Sequence, residues 1–327
     1  MTFGLGTFAR LDDVFPGLLV DDRVIDLRRA LDREDLTTLD LLRDWDRTLP
    51  LLRSIAESDS PAIETTDVRP LSPVQPSGQI ICTGANYTKH VTQIVYTMTK
   101  NQGDARTDEE LREFAAATAR ARRDDPPFFF VGLPSALAGA RDDVVLWGPH
   151  EQHDWELELA VVIGRRTHRV PVEKAMDAIA GYTISNDITV RDAMFRRDIP
   201  MTDFLHSKNR PTYFPTGPVI VPTEFVPDPS RLRIRLSVNG ELMQDELVSD
   251  IIQGIPELVS AASHVTVLSP GDMILTGSPA GNAGHHGNRW LRPGDLIESS
   301  ITGLGTQRNL CVAPVADDDF APTTTLA

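Results

Sequence analysis

The chain has 327 residues and 36.0 kDa, more than one compact core usually takes, so one large domain plus a smaller one is expected. Acidic residues outnumber basic ones 47 to 32, a formal charge of -15, which repels a polyanion and argues against a nucleic-acid partner. The sequence shows no run of eighteen apolar residues, no basic-then-apolar leader and only two cysteines, Cys82 and Cys311, so we expect a cytoplasmic protein without a membrane partner or disulfide framework.

Residues 1 to about 75 mix short strands ("PGLLVDDRVIDL") with a leucine-rich helical stretch from Leu36 to Ile55, which Pro50 should interrupt. This reads as a small α+β domain. "RPLSPVQPSG" then resembles a linker, and a second domain is expected over 76–315. An insertion near 98–125 carries Thr107 and Glu110 at capping-box spacing ahead of "LREFAAATARARR". One exposed helix is predicted there, either a solvated insertion or a lid.

In "HDWELELAVVIGR", strand alternation sends Glu156 and Glu158 one way and Trp155, Leu157 and Leu159 the other. Ala160 to Ile163 then form the unbroken apolar run of a strand covered on both faces. Two carboxylates therefore face a sheltered space and need compensation by protonation, a basic partner or a cation. Asp187, after the apolar strand of "GYTISNDITVRD", supplies a third acid; three carboxylates on a β scaffold suit a hard cation or an ion-pair network about equally. Further on, "LRIRLSVNGELMQDE" reads as a hairpin turning at Asn239-Gly240, and Pro-Gly-Asp precedes a short strand at both 270–272 and 293–295. The whole is α+β and β-rich, with the C-terminal part a sandwich or rolled sheet and the tail 316–327 disordered.

Other clusters read more plainly. "HEQHD" (150–154) is a polar loop, His285-His286 a flexible loop that could line a pocket, and the "GLG" repeats lack a third glycine. No G-x-S-x-G elbow is present.

The strings "GANYTKH", "DWELELAVVIGR", "GYTISNDITVRD", "KNRPTYFPTGP", "PGDMILTGSPAG" and "ITGLGTQRN" follow one another in the order of the fumarylacetoacetate hydrolase (FAH) superfamily, which the chain resembles over roughly residues 77 to 310. The resemblance implies a mixed β-sandwich roll whose Glu156, Glu158 and Asp187 ligate Mg²⁺ or Mn²⁺, with Ca²⁺ as a further candidate. It implies catalytic roles for His90, which activates water in the hydrolases, and Lys208, and substrate contacts from Tyr87, Arg191, Thr276 and Gly277. The implied activity is metal-dependent hydrolysis of a carbon-carbon bond in a 1,3-diketone or acylpyruvate-type 2-oxo acid, as in aromatic catabolism, by a homodimer. Decarboxylation, tautomerisation or hydration at the same metal site is the first alternative, and oxo-acid binding without catalysis the second.

This sequence departs from the family at three places. Gln93 stands where the hydrolases carry an acid that orients the histidine; Glu109, Glu110 or Glu113 of the insertion could substitute. Gly132 and Met194 replace polar residues and should make the pocket more apolar.

Overall fold

The computed structural model describes residues 1–196, 198 and 201–314, so the tail 316–327 lies outside the described residues. Residues 3–70 form a five-stranded antiparallel sheet in the order Ala62–Glu64, Arg23–Asp26, Asp13–Val20, Phe3–Arg10, Arg69–Pro70. Two helices, Thr38–Arg43 and Trp45–Ala56, cover it. The break between them falls at Asp44 and not at the expected Pro50, which lies inside the second helix. Pro50 is exposed, so the carbonyl that loses its partner there faces water, and one missing hydrogen bond is tolerated.

A six-stranded mixed sheet carries the site. Its order is Val221–Pro222, Ile179–Asn186, Leu157–Ile163, Met273–Leu275, Ile80–Thr83, Phe129–Gly132, with a single parallel pairing between the fourth and fifth strands. The strand Leu157–Ile163 is buried throughout, as its apolar run predicts. Leu157, Leu159, Val161 and Ile163 enter one core with Tyr182 and Ile274, while Ala160 and Val162 enter a second with Met273 and Leu275. The second core continues into Phe3, Leu18, Leu42 and Leu52, so the N-terminal sheet packs on this face. Glu156 and Glu158 share the parity of Ala160 and Val162 and extend that face beyond its apolar part.

A second five-stranded sheet, Glu241–Leu247, Arg233–Val238, Leu296–Ile301, Gly305–Val312, Val144–Val145, completes the layered, β-rich α+β fold. Asn239 and Gly240 take φ of 53° and 80°, the left-handed pair that a two-residue hairpin needs. The two Pro-Gly-Asp turns are built alike. Asp272 accepts the backbone N–H groups of Ser269 (2.7 Å) and Gln79 (2.7 Å), and Asp295 accepts that of Arg292 (2.7 Å), each fixing the start of the next strand.

The insertion near 98–125 holds the one α-helix expected, and a second that was not expected leads into it. The NYTKH segment runs straight into a helix, Thr88–Asn101, which packs beside Asp108–Ala121. Thr107 and Glu110 form the anticipated capping box: Thr107 Oγ1 accepts from Glu110 N and a Glu110 carboxylate oxygen accepts from Thr107 N at 2.7 Å. Among the described residues no helix is long and apolar enough to cross a membrane.

Candidate active site

Pairing of Leu157 with Asn186 and Glu158 with Ser185 brings the ends of two strands together, and Asp187 N donates to Glu156 O at 2.8 Å. Glu156, Glu158 and Asp187 consequently converge, each offering an oxygen within 4.8 Å of the others. All three are buried, at 8%, 2% and 0% exposure. Lys208 ends the short helix Phe204–Lys208 and reaches in from the opposite side; its Nζ donates to Glu156 Oε2 (2.6 Å), Asp187 Oδ2 (2.6 Å) and Thr189 Oγ1 (2.8 Å). Arg191 donates to Glu156 Oε1 at 2.6 Å and to Asp154 Oδ2 at 2.8 Å.

The charges do not balance. Asp154, Glu156, Glu158 and Asp187 are four buried carboxylates facing two cations, Lys208 and Arg191. Burial pushes the Glu158 carboxyl well above the usual range, with the neighbouring Asp187 and Glu156 charges adding to it. Burial also raises Asp187, the Lys208 ammonium countering only in part. Glu156 goes the other way: against the penalty of burial, Arg191 and Lys208 hold it ionised. Asp187 Oδ1 has no hydrogen-bond partner. A buried, orphaned carboxylate oxygen, and two more carboxyl groups than cations, held near neutrality only by taking up protons, are what a divalent, oxygen-preferring cation would satisfy, so the donor set fits Mg²⁺ or Mn²⁺.

His90 lies in the first turn of Thr88–Asn101 and is 8% exposed. Burial pulls its pKa down to about 4, Glu156 countering and Arg191, His285 and Lys208 reinforcing the fall, so at neutral pH the ring is uncharged. The segment before it is pinned: Asn86 Nδ2 donates to Gln253 O (3.0 Å) and Thr276 O (2.9 Å), and its Oδ1 accepts from Gln253 N (2.9 Å). Gln93 does not orient His90. Its amide donates to Thr97 Oγ1 at 3.2 Å, and His90 Nδ1 has no partner. Nor do the insertion's glutamates substitute. Glu109, Glu110 and Glu113 are all exposed, and Glu110 is occupied by its cap, because the amphipathic helix turns them to solvent.

Among the expected substrate contacts, Tyr87 is fully buried with an unpartnered hydroxyl, and Thr276 Oγ1 donates to Leu159 O at 3.0 Å. Gly277 N–H is already committed to Glu158 Oε2 at 2.7 Å. At φ 95° a glycine is required there, and a Cβ would come within 2.9 Å of Asn86 Cβ. Gly132 belongs to core packing, not to the site: a Cβ would meet Ile80 Cγ2 at 2.9 Å and Phe214 Cζ at 3.1 Å. An apolar wall comes instead from Phe130, whose ring centre lies 5.2 Å from Lys208 Nζ and 4.6 Å from that of Phe204.

Two neighbours of the site escaped the sequence reading, and a third was read only as part of a loop that could line a pocket. Asp154, in what was read as a polar loop, is 1% exposed and holds Arg191. Thr189 is the third acceptor of Lys208. His285 sits with its ring centre 6.1 Å from that of His90. Only the order Asp-x-Glu and the nearness of Thr189 to Asp187 hinted at the first two; His285 stood in that loop with nothing to pair it with His90.

Comparison with known proteins decides the family. The model for the fumarylacetoacetate (FAA) hydrolase C-terminal domain matches residues 79–312. The chain belongs to the fumarylacetoacetate hydrolase family. It is 32% identical to maleylpyruvate hydrolase of Aquipseudomonas alcaligenes over 296 residues, covering 89% of this chain and 93% of that one. It is also 32% identical to the oxaloacetate tautomerase YisK of Bacillus subtilis (strain 168), over 90% and 95% of the two chains. Among solved structures, maleylpyruvate hydrolase from Sphingobium sp. SYK-6 in complex with manganese(II) and pyruvate superposes with a TM-score of 0.73 at 25% identity, covering 95% of this chain and 100% of that one. A fumarylacetoacetate hydrolase from psychrophilic Exiguobacterium antarcticum gives 0.74 at 25% identity, over 96% and 100%.

Proposed function

We propose that this protein is a divalent-metal-dependent enzyme that hydrolyses a carbon-carbon bond in an acylpyruvate-type 2-oxo acid or 1,3-diketone. The observation that carries the reading is the convergence of Glu156, Glu158 and Asp187, buried and short of two positive charges, beside a neutral buried imidazole. Glu156, Glu158 and Asp187 would hold Mg²⁺ or Mn²⁺, which supplies Lewis-acid polarisation of a substrate carbonyl. Similarity to a maleylpyruvate hydrolase whose relative binds manganese(II) and pyruvate supports both the metal and the oxo-acid class.

His90, uncharged, accepts a proton from water as the water oxygen bonds to the carbonyl carbon. The adjacent carbon-carbon bond breaks and its electron pair becomes an enolate, which takes up a proton to give the second product. The Lys208 ammonium, its three N–H groups given to Glu156, Asp187 and Thr189, favours the developing negative charge through its own positive charge and without a direct hydrogen bond. Tyr87 offers a hydroxyl to a substrate oxygen, Thr276 has its own hydroxyl hydrogen committed to Leu159 O, and Arg191 keeps Glu156 ionised and aimed. Phe130 and Phe204 favour an apolar substituent on the substrate.

A second reading, tautomerisation of a 2-oxo acid, is favoured by one observation: no carboxylate orients His90, since Gln93 bonds Thr97. The chain's similarity to an oxaloacetate tautomerase is in keeping with it. Incubating the purified protein with acylpyruvates, fumarylpyruvate-like diketones and oxaloacetate, with Mg²⁺, Mn²⁺ or chelator, separates the two. Metal-dependent release of pyruvate and a second acid is the expected result. An isomer of unchanged mass as the sole product replaces hydrolysis by tautomerisation.

A further inference from the structure

Two buried imidazole nitrogens near the candidate site have no partner, His90 Nδ1 and His285 Nε2. They belong to rings whose centres are 6.1 Å apart with planes inclined by 33°. Leaving a buried polar nitrogen without a hydrogen bond is costly, and here two such atoms occur on adjacent rings.

His285 is placed with care. It lies in the 3-10 turn Ala283–His286, which is bolted to the segment bearing Glu156. Trp155 Nε1 donates to Gly281 O (2.9 Å), Asn282 Nδ2 to Trp155 O (2.8 Å) and Ala283 N to Asp154 Oδ1 (2.8 Å). His286 is held on Met243 O at 3.0 Å, a close approach that Gly281 allows, since a Cβ there would stand 2.1 Å from the same oxygen. Asn282, Ala283 and His286 around it are each held by a hydrogen bond, yet the Nε2 of His285 is left buried and without a partner.

We propose that His285 is the positioning residue for His90, taking the place of the acid that Gln93 does not supply; this rests on the hydrolase reading above. One water, accepting from one ring and donating to the other, would bridge the two nitrogens. His90 Nδ1–H donates to that water and the water donates to His285 Nε2. The proton on His90 is thereby fixed at Nδ1, and its Nε2 lone pair is left to accept from the attacking water, the same division of labour that a carboxylate imposes on a catalytic histidine. A neutral acceptor does this without adding a further negative charge beside four carboxylates.

The test is made on the full-length chain. Nitrogen-15 spectra of histidine-labelled, metal-free protein read the His90 tautomer directly: the wild type should show the proton on Nδ1 and His285→Ala a shift towards Nε2–H. With an acylpyruvate and Mg²⁺, H285A should lower kcat by about 10- to 100-fold with KM little changed, as loss of part of a general base's contribution predicts. Gln93→Glu in the H285A background should restore much of the lost rate by returning a carboxylate to His90. His285→Phe keeps ring volume and removes both nitrogens, and serves where H285A does not fold. An unchanged His90 tautomer in the folded variant overturns the role of His285 even if hydrolysis is intact; absence of hydrolysis in the wild type overturns the hydrolase reading, which the tautomer measurement does not touch.

Discussion

The two sides of the candidate site are made differently. On the sheet side, Glu156, Glu158 and Asp187 are set by strand register and answered by Lys208, Arg191 and the Gly277 N–H, so that most of their oxygens have partners. On the helical side, His90 projects from a hairpin whose outer surface is exposed, and its Nδ1 has none. Charge is fixed by backbone that cannot easily move, whereas His90, the proposed base, sits on the more exposed element. Precise placement is needed where a multiply charged cluster must be held, and some freedom where substrate must enter and leave.

That contrast can be broken at its strongest point first. Asp187→Asn removes one carboxylate from the cluster and should lower kcat/KM by about 10³-fold, the scale of losing one electrostatic contact to the reacting atoms, with weakened Mg²⁺ or Mn²⁺ binding by calorimetry. Metal binding unchanged in this variant would detach the sheet side from its assigned task. His90→Ala should lower hydrolysis by about 10²-fold or more while leaving metal affinity as it was, because the two sides have separate duties. A matching fall in metal affinity would merge them.

Proton linkage gives a gentler test. Burial lifts the Asp187 carboxyl to about 7 and Glu158 also upward, so the folded metal-free protein binds these protons more tightly than the unfolded chain does. Its stability therefore falls as pH rises from the ordinary carboxylate range of about 4 towards 7. Glu156, held down, acts with the opposite sign but only below that window. A bound cation displaces the protons, so the difference in Tm between metal-loaded and chelated protein should widen from pH 5 to pH 8. A constant difference would mean that the carboxylates are ionised with or without metal. Smallest of all, Glu109→Ala with Glu113→Ala should leave turnover within about twofold, as for other exposed surface changes, and Thr107→Ala should cost about 1 kcal/mol of helix stability without altering kcat.

What the sequence made legible follows the same division. Alternation at Glu156 and Glu158, the apolar run to Ile163, Asn239-Gly240 and the paired Pro-Gly-Asp turns are local patterns with a local physical cause, and all appear as read. The acid at 187 joined them through motif order. The partnerships of Asp154, Thr189 and His285 were hidden because each lies across a tertiary contact, 37, 19 and 195 positions from Arg191, Lys208 and His90. Pro50 and Gly132 misled for a related reason: solvent exposure of one and core crowding around the other outweigh what their residue types suggest alone.

Lys208 shares two carboxylates with any ion the cluster would take. The acidic pocket thus carries a resident counter-charge of its own, built into the chain. Folding need not wait for metal, in contrast to small domains that collapse only around their ion. On the proposed reading an ion would enter and depart from an already assembled scaffold, and its occupancy would follow the surrounding supply instead of synthesis.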